Sequence, residues 1–454
     1  MSSLSLQAIA TPLGGVLRGE DATLSSFSTD TRKLNAGDTF IALSGPNHDA
    51  HDYVNKAADA GANALIVERL VESDLPQVVV PDARLALGTL ARLWTELHQV
   101  PIVAVTGSNG KTTVKEMIAA ILRQLGPVLA TEGNLNNEIG LPLTLLALRD
   151  HHQYVVVEMG ANHVGEIGYL SRIAKPDVAV ITNISGAHLE GFGSIERIAG
   201  AKSEIYQGMN AHGTAIVNID DAFFEQMKNA SAHCQQLTFG RSEMADFRCG
   251  LVRNQFTIRS RYGNLQPDLN LLGEHNRLNA SAAAAAASAL DIQTETILAG
   301  LASVKPVAGR LQRRTSKAGA LVIDDTYNAN PASARAAIRV LSEQSGQRVL
   351  VLGDMRELGD DEINLHAEVG NFARECGIQQ LYTVGVLAAH AAHAFGESGR
   401  SFSAKEDLLQ ELARHHHRST TFLIKGSRGS RMEDIVDGLL SMRGNGTAQE
   451  ASLT

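Results

Sequence analysis

Residues 102–113 read IVAVTGSNGKTT, and this stretch restricts the fold of the 454-residue chain more than any other. Its first four residues are a short apolar run typical of a strand buried on both faces, and a helical pattern follows from 111 to 125. A buried strand, a glycine-rich turn and a helix in that order predict a parallel sheet with crossover helices. The turn has its own chemistry. Gly107 and Gly110 let backbone N–H groups approach an anion without a Cβ in the way, and Ser108, Asn109 and Thr113 complete the loop around them. The start of the helix adds positive potential. Lys111 can reach β- and γ-phosphates, and the Thr112 hydroxyl can ligate Mg²⁺. Val105 stands where the longer phosphate loop has its first glycine, so the pattern is the shortened G-x-x-G-K-T form. A G-x-x-G alone could be a structural turn; the K-T-T that follows decides for phosphate.

The same texture recurs. Apolar runs at 154–158 (YVVVE) and 178–182 (VAVIT) predict further parallel strands, and 235–272 breaks into shorter β segments. The alanine-rich run 275–290 reads as one tightly packed helix rather than low complexity. Ahead of this unit, 39–43 and 64–67 read as strands, and 52–61 and 82–98 as helices. A third α/β pattern begins near Arg310, with strands at 321–324, 349–352, 381–384 and 421–424. The length suggests about three domains, divided here as 1–98, 99–309 and 310–454. The tail after about Gly444 is small and polar and is expected to fray.

A net charge of −9 argues against a protein that coats nucleic acid. The three cysteines, Cys234, Cys249 and Cys376, are odd in number and far apart, which fits a reducing cytosol better than a disulfide framework. No run approaches the ~18–20 apolar residues of a membrane span, and the first residues lack the basic and apolar regions of a signal peptide. His415–His417 reads as solvated surface rather than a metal site.

Glu158 ends its apolar run. A carboxylate at the C-terminal end of a buried strand is costly unless it meets a cation, and ligands of open α/β sheets bind at that end. It is expected to ligate Mg²⁺, with a structural ion pair as the alternative. His188, in the loop after the next strand, is a candidate second ligand or an ordinary loop histidine. By itself Lys202, in AGAKSE, reads as a surface helix lysine.

TGSNGKTT, GNLNNEIGLPLTLL, VVVEMGAN, ITNISGAHLEGFGS, AKSEI, GEHNRLNASAA and DDTYNANPAS follow one another in an order that resembles the Mur ligase family over nearly the whole chain. DDTYNANP, GDMRELG and KGSR resemble the members that extend a UDP-linked muramoyl-tripeptide by a dipeptide. The resemblance implies a three-domain α/β enzyme: a small N-terminal domain holding the UDP end, a central P-loop mononucleotide-binding domain with a parallel sheet, and a C-terminal Rossmann-like domain that closes over ATP. It implies an ATP- and Mg²⁺-dependent carbon–nitrogen ligase. Its substrates would be UDP-N-acetylmuramoyl-tripeptide and D-alanyl-D-alanine, and it would work as a cytoplasmic monomer in peptidoglycan precursor synthesis, without nucleic acid. Within this family Glu158 and His188 match metal ligands, and Lys202 matches a carbamylated lysine. Asn276 and Asn279 match the adenine-side segment, Arg310 the arginine reaching ATP from the linker, and Asp325 and Tyr327 positions near ATP. Asn134, Asn136 and Asn137 match the segment facing the UDP-sugar, together with Ser28, Asp30 and Arg32 of the first domain.

The residue types agree. Asparagines offer donors and acceptors to sugars and amides without charge, and Asp325 suits a ribose hydroxyl or a lysine partner. Asn328 and Asn330, before Pro331, can bind substrate or serve as turn and N-cap residues. Lys425 and Arg428 can bind a substrate or dipeptide carboxylate or be surface charges. Other readings are the sibling ligase that adds the third amino acid, a folyl-polyglutamate synthetase, a non-catalytic nucleotide-binding protein and a P-loop kinase or motor. The absence of a D-N-P-R motif argues against a diaminopimelate-adding sibling. The N-terminal unit argues against the synthetase. Lys111, Thr112, Glu158, His188 and Lys202 together argue against a non-catalytic protein.

Overall fold

The apolar runs become the strands of three larger sheets in the computed structural model, which describes residues 2–186, 189–261 and 263–442. His188 and the tail expected to fray lie outside the described residues. The first sheet is built from β1 (Val16–Arg18), β2 (Phe27–Ser28), β3 (Thr39–Ile41), β4 (Ala64–Val67) and β5 (Gln77–Val79), in the order β1-β5-β4-β3-β2. Only the β1–β5 pairing is antiparallel. The segment expected to be one helix over 52–61 divides into a 3-10 turn, Ala50–Tyr53, and a helix, Val54–Asp59.

Helix α1 (Ala83–His98) is capped by Asp82, whose carboxylate accepts from the N–H groups of Arg84 and Leu85. Its apolar face does not stay with the first sheet. Trp94 is buried and its indole N–H donates to Leu148 O at 3.0 Å. Gly88 lies against the Tyr169 side chain, where an added Cβ would come within 2.3 Å of the hydroxyl. One continuous core therefore runs from the first sheet through α1 into one face of the second.

The second sheet has nine strands: β6 (Ile102–Thr106), β7 (Val128–Ala130), β8 (Tyr154–Glu158), β9 (Val178–Ile181), β10 (Thr214–Asn218), β11 (Gln235–Gly240), β12 (Phe247–Val252), β13 (Gln255–Ser260) and β14 (Gly263–Leu265). They are ordered β7-β8-β6-β9-β10-β11-β12-β13-β14, parallel as far as β12 and antiparallel beyond it. Helix α2 (Lys111–Leu122) and the alanine helix α3 (Glu274–Ser288) cover one face, and Ala280 and Ala282–Ala287 are wholly buried between α2 and the sheet. Methyl-sized side chains let this helix lie close to its neighbours at interior density.

The third sheet contains β15 (Gln312–Thr315), β16 (Leu321–Asp325), β17 (Gln347–Gly353), β18 (Gln380–Val384), β19 (Gly399–Phe402) and β20 (Thr420–Lys425), ordered β15-β16-β20-β17-β18-β19. All pairs but β15–β16 are parallel. The His415–His417 run is structural. Gln347 donates to His415 Nδ1, His415 Nε2 meets the Tyr382 hydroxyl, and His416 is bonded to the Ser316 hydroxyl. All three cysteines are free. No helix among the described residues is long and apolar enough to cross a membrane.

Candidate active site

Strand register builds the site. Val105 pairs with Glu158 and Thr106 with Ile181, so the loop after β6 and the ends of β8 and β9 emerge side by side. The central position of β6 follows from the strand order, and crevices at such carboxyl ends are where open α/β sheets bind ligands.

The loop's glycines are required by shape. Gly107 has φ +144°, and a Cβ there would fall 1.9 Å from Thr182 Oγ1. Gly110 caps α2 with φ +81°, and its Cβ would meet Asn279 Oδ1 at 2.8 Å. The loop is pinned from β9: Asn183 accepts from the Asn109 N–H and donates to Asn109 O, while Ser108 and Ser185 exchange hydrogen bonds. Asn183 and Ser185 were not singled out in the sequence. Their position just past an apolar run, the signal that marked Glu158, would have found them.

Glu158 is 4% exposed, and its hydrogen-bond partners among the described residues are neutral. Its carboxylate accepts from Thr112 Oγ1 at 2.7 Å and from Asn136 Nδ2 at 2.9 Å. The alternative to a metal-ligand role, a structural ion pair, is therefore absent among the described residues. Thr112 Oγ1 also accepts from Arg310 Nη2 at 3.0 Å. The Arg310 guanidinium stacks on Tyr327, 4.2 Å from the ring centroid, and its buried Nε has no hydrogen-bond partner among the described residues. Lys111 Nζ folds back onto Gly107 O at 2.8 Å. Burial lowers the Lys111 pKa, Glu158 opposes that shift and Arg310 adds to it.

Lys202, near the end of helix α4 (Ile195–Ser203), is no surface lysine. It is 2% exposed and has no hydrogen-bond or ion-pair partner among the described residues. Burial, with a smaller effect of Lys111, pushes its pKa down to about 7. A buried amine beside a phosphate loop is costly without a partner, and the described residues do not supply one.

These groups line a cleft of about 750 Å³. Ser108, Asn109, Gly110, Lys111, Thr113, Glu158 and Lys202 form its floor. Asn134, Asn136 and Asn137 line it from the second unit, as do Asn276 and Asn279, which are bonded to each other. Arg310, Asp325, Tyr327, Asn328, Asn330 and Lys425 come from the third unit. His275 also lines it; burial lowers its pKa, and it was not expected from the sequence. Asp325 takes the lysine partner rather than standing free: Lys425 Nζ donates to it and to Asn328 O at 3.0 Å. Asn330 is both N-cap and contact. It forms a capping box with Ser333 at the start of helix α5 (Pro331–Ser342), and its Nδ2 donates to Asn109 Oδ1 at 2.8 Å.

Of the expected residues, Ser28, Asp30, Arg32 and Arg428 do not line this cleft, and His188 is outside the described residues. Ser28, Asp30 and Arg32 form a turn of their own: Arg32 grips Asp30 through two nitrogens and holds its carboxyl down at about 2. Arg428 is exposed and 3.5 Å from Glu433. No three His, Cys, Asp or Glu side chains converge as a metal site among the described residues, and His188 is not one of those.

Residues 105–287 match the Mur ligase middle domain and 309–428 the glutamate ligase domain of Mur ligases. The chain belongs to the Mur ligase family. Among its relatives is the UDP-N-acetylmuramoyl-tripeptide–D-alanyl-D-alanine ligase of Escherichia coli K12, 42% identical over 97% of this chain and 99% of that one. The structure of UDP-N-acetylmuramoylalanyl-D-glutamyl-2,6-diaminopimelate–D-alanyl-D-alanyl ligase from Acinetobacter baumannii superimposes with a TM-score of 0.86, at 38% identity, over 97% of this chain and 99% of that chain. MurF ligase from Thermotoga maritima, in complex with ADP, gives 0.81 at 30% identity, over 91% and 96%.

Proposed function

We propose that this chain joins D-alanyl-D-alanine to UDP-N-acetylmuramoyl-tripeptide, with ATP converted to ADP and phosphate. The observation that carries the reading is the chain of contacts Arg310–Thr112–Glu158, which ties the third unit to the phosphate loop and to a buried carboxylate. The names of the relatives support the choice of substrates.

A carboxylate is a poor electrophile. Transfer of the γ-phosphoryl forms a bond from a carboxylate oxygen to phosphorus as the bond to ADP breaks. The dipeptide amine then attacks the acyl carbon, its proton is lost, and phosphate leaves the tetrahedral intermediate. Two anions must meet for the first step. Lys111 and the free Nε of Arg310 offset their repulsion. Asn276 and Asn279 take the adenine side, with Asp325 and Tyr327 beside the nucleotide. Asn134, Asn136 and Asn137 hold the UDP-sugar, and the exposed Arg32, fixed by Asp30 next to Ser28, takes the UDP end. Asn328, Asn330 and Lys425, and Arg428 from beyond the cleft, are assigned to the substrate or the dipeptide carboxylate. The division of labour follows 1–98, 99–309 and 310–454, in a monomer in the cytoplasm.

The donors present suit Mg²⁺, a cation that prefers oxygen. Thr112, Glu158, His188 and Lys202 would hold it, Lys202 as its carbamate, since an amine with a pKa of about 7 is largely neutral at physiological pH and can add CO₂. Bound there, Mg²⁺ supplies positive charge against the phosphate oxygens.

The test is phosphate release from ATP with Mg²⁺ and UDP-muramoyl-tripeptide, D-alanyl-D-alanine, or both. Release that requires both, with a UDP-pentapeptide by mass, is expected. Release with a UDP-muramoyl-dipeptide and a diamino acid instead would move the assignment to the sibling enzyme, and independence of any muramoyl substrate would end it.

A further inference from the structure

Among the described residues, four carboxylates line the cleft: Glu138, Glu158, Glu166 and Asp325. Three are engaged. Glu158 accepts from Thr112 and Asn136. Glu166 accepts from the N–H groups of Asn162 and His163 and meets the His163 ring. Asp325 holds Lys425. Glu138 is half-buried and has no hydrogen-bond or ion-pair partner among the described residues. In a ligand cleft the group suited to such an unoccupied carboxylate is a cation on the ligand.

Its place in the cleft narrows which cation. The cleft's lysines and arginine, Lys111, Lys202, Arg310 and Lys425, come from the phosphate loop, the Lys202 helix and the third unit. Glu138 instead lies near enough to Tyr169, the side chain that meets α1 at Gly88, for its charge and that of Asp82 to add to the effect of burial in raising the Tyr169 hydroxyl. Glu138 is also two residues from Asn136, which bonds Glu158. Consecutive Cα atoms are about 3.8 Å apart, so the Cα of Glu138 lies within about 7.6 Å of that of Asn136. A four-carbon arm reaches about 6 Å, a length comparable to that spacing.

The third residue of the muramoyl peptide bears the carboxyl group that is activated, and the Acinetobacter relative is named for 2,6-diaminopimelate at that position. Diaminopimelate and lysine both carry an ammonium at the end of such an arm. We infer that Glu138 is a specificity residue that reads the side-chain ammonium of the third peptide residue. The inference rests on the tripeptide reading above.

The test compares kcat/KM for UDP-muramoyl-tripeptides ending in diaminopimelate, lysine or norleucine, the last having the same arm without the nitrogen. The native protein should prefer either ammonium-bearing substrate over norleucine by about tenfold or more, the scale of one hydrogen bond to a charged group. In Glu138→Gln that ratio should fall to near one. A variant that is merely misfolded or poorly active loses turnover on all three substrates and keeps the ratio. A ratio near one in the native protein, or an unchanged ratio in the variant, overturns the inference while product formation leaves the ligase reading standing. No product from any of the three in the native protein sinks both.

Discussion

Lys202 and Lys425 are buried alike, 2% and 3% exposed, and their surroundings differ. Lys425 extends a strand beside Asp325, its register partner, and gives its protons to that carboxylate and to Asn328 O. Lys202 has no partner among the described residues, and burial brings its pKa to about 7. Burial alone does not decide what a lysine does. A partner makes it a structural ion pair, and the lack of one leaves an amine that can be neutral and reactive.

The strongest test of that contrast is Lys202→Met. Turnover should fall by about 10³-fold, the effect expected when a group that stabilises charge at the reacting centre is lost. Stability should hold or rise, because the substitution strands no charge. A drop in denaturation midpoint as large as that of Lys425→Met would erase the distinction.

Lys425→Met should cost about 3 kcal/mol, since it leaves the Asp325 carboxylate without its cation. Asp325→Asn together with Lys425→Met should recover much of this in a urea titration. Failure to recover would show that the two side chains act independently.

The third unit also offers a pH test. His366 is wholly buried, donates from Nδ1 to Glu362 O and accepts the Met355 N–H at Nε2. Burial lowers its pKa, so below about pH 6.5 the unfolded chain takes up a proton that the folded one refuses. Stability from this group is present above pH 6.5 and is lost as the pH falls, by at most about 1.4 kcal/mol per pH unit. His366→Gln should flatten the melting temperature against pH from 6.5 to 5. An unchanged slope would place the titration elsewhere.

The smallest effect expected is that of Asn330→Ala, about 1 kcal/mol from the lost cap. Because Asn330 also reaches Asn109, ATP affinity should fall with it. An effect on stability alone would reduce Asn330 to a helix cap.

Much of the frame was legible beforehand. The runs at 64–67 and 154–158 are the observed strands to the residue, because continuous apolar segments bounded by polar ones have few other uses. The alanine run is a buried helix for the same reason. Helix 52–61 was misread because a 3-10 turn has the same local spacing signals as the start of an α-helix. Glu158 was found by its place at a strand end, but its neutral partners were not, since Thr112 and Asn136 are 46 and 22 residues away.

By itself the sequence determined the phosphate loop, the alternation of strands and helices and the family motifs, all of which depend on neighbours along the chain. Tertiary structure alone decided that α1 belongs to two units, that Lys202 is buried without a partner among the described residues while Lys425 has one, and that Arg428 lies outside the cleft. Charge state and access depend on what packs around a side chain, and those groups come from distant parts of the chain.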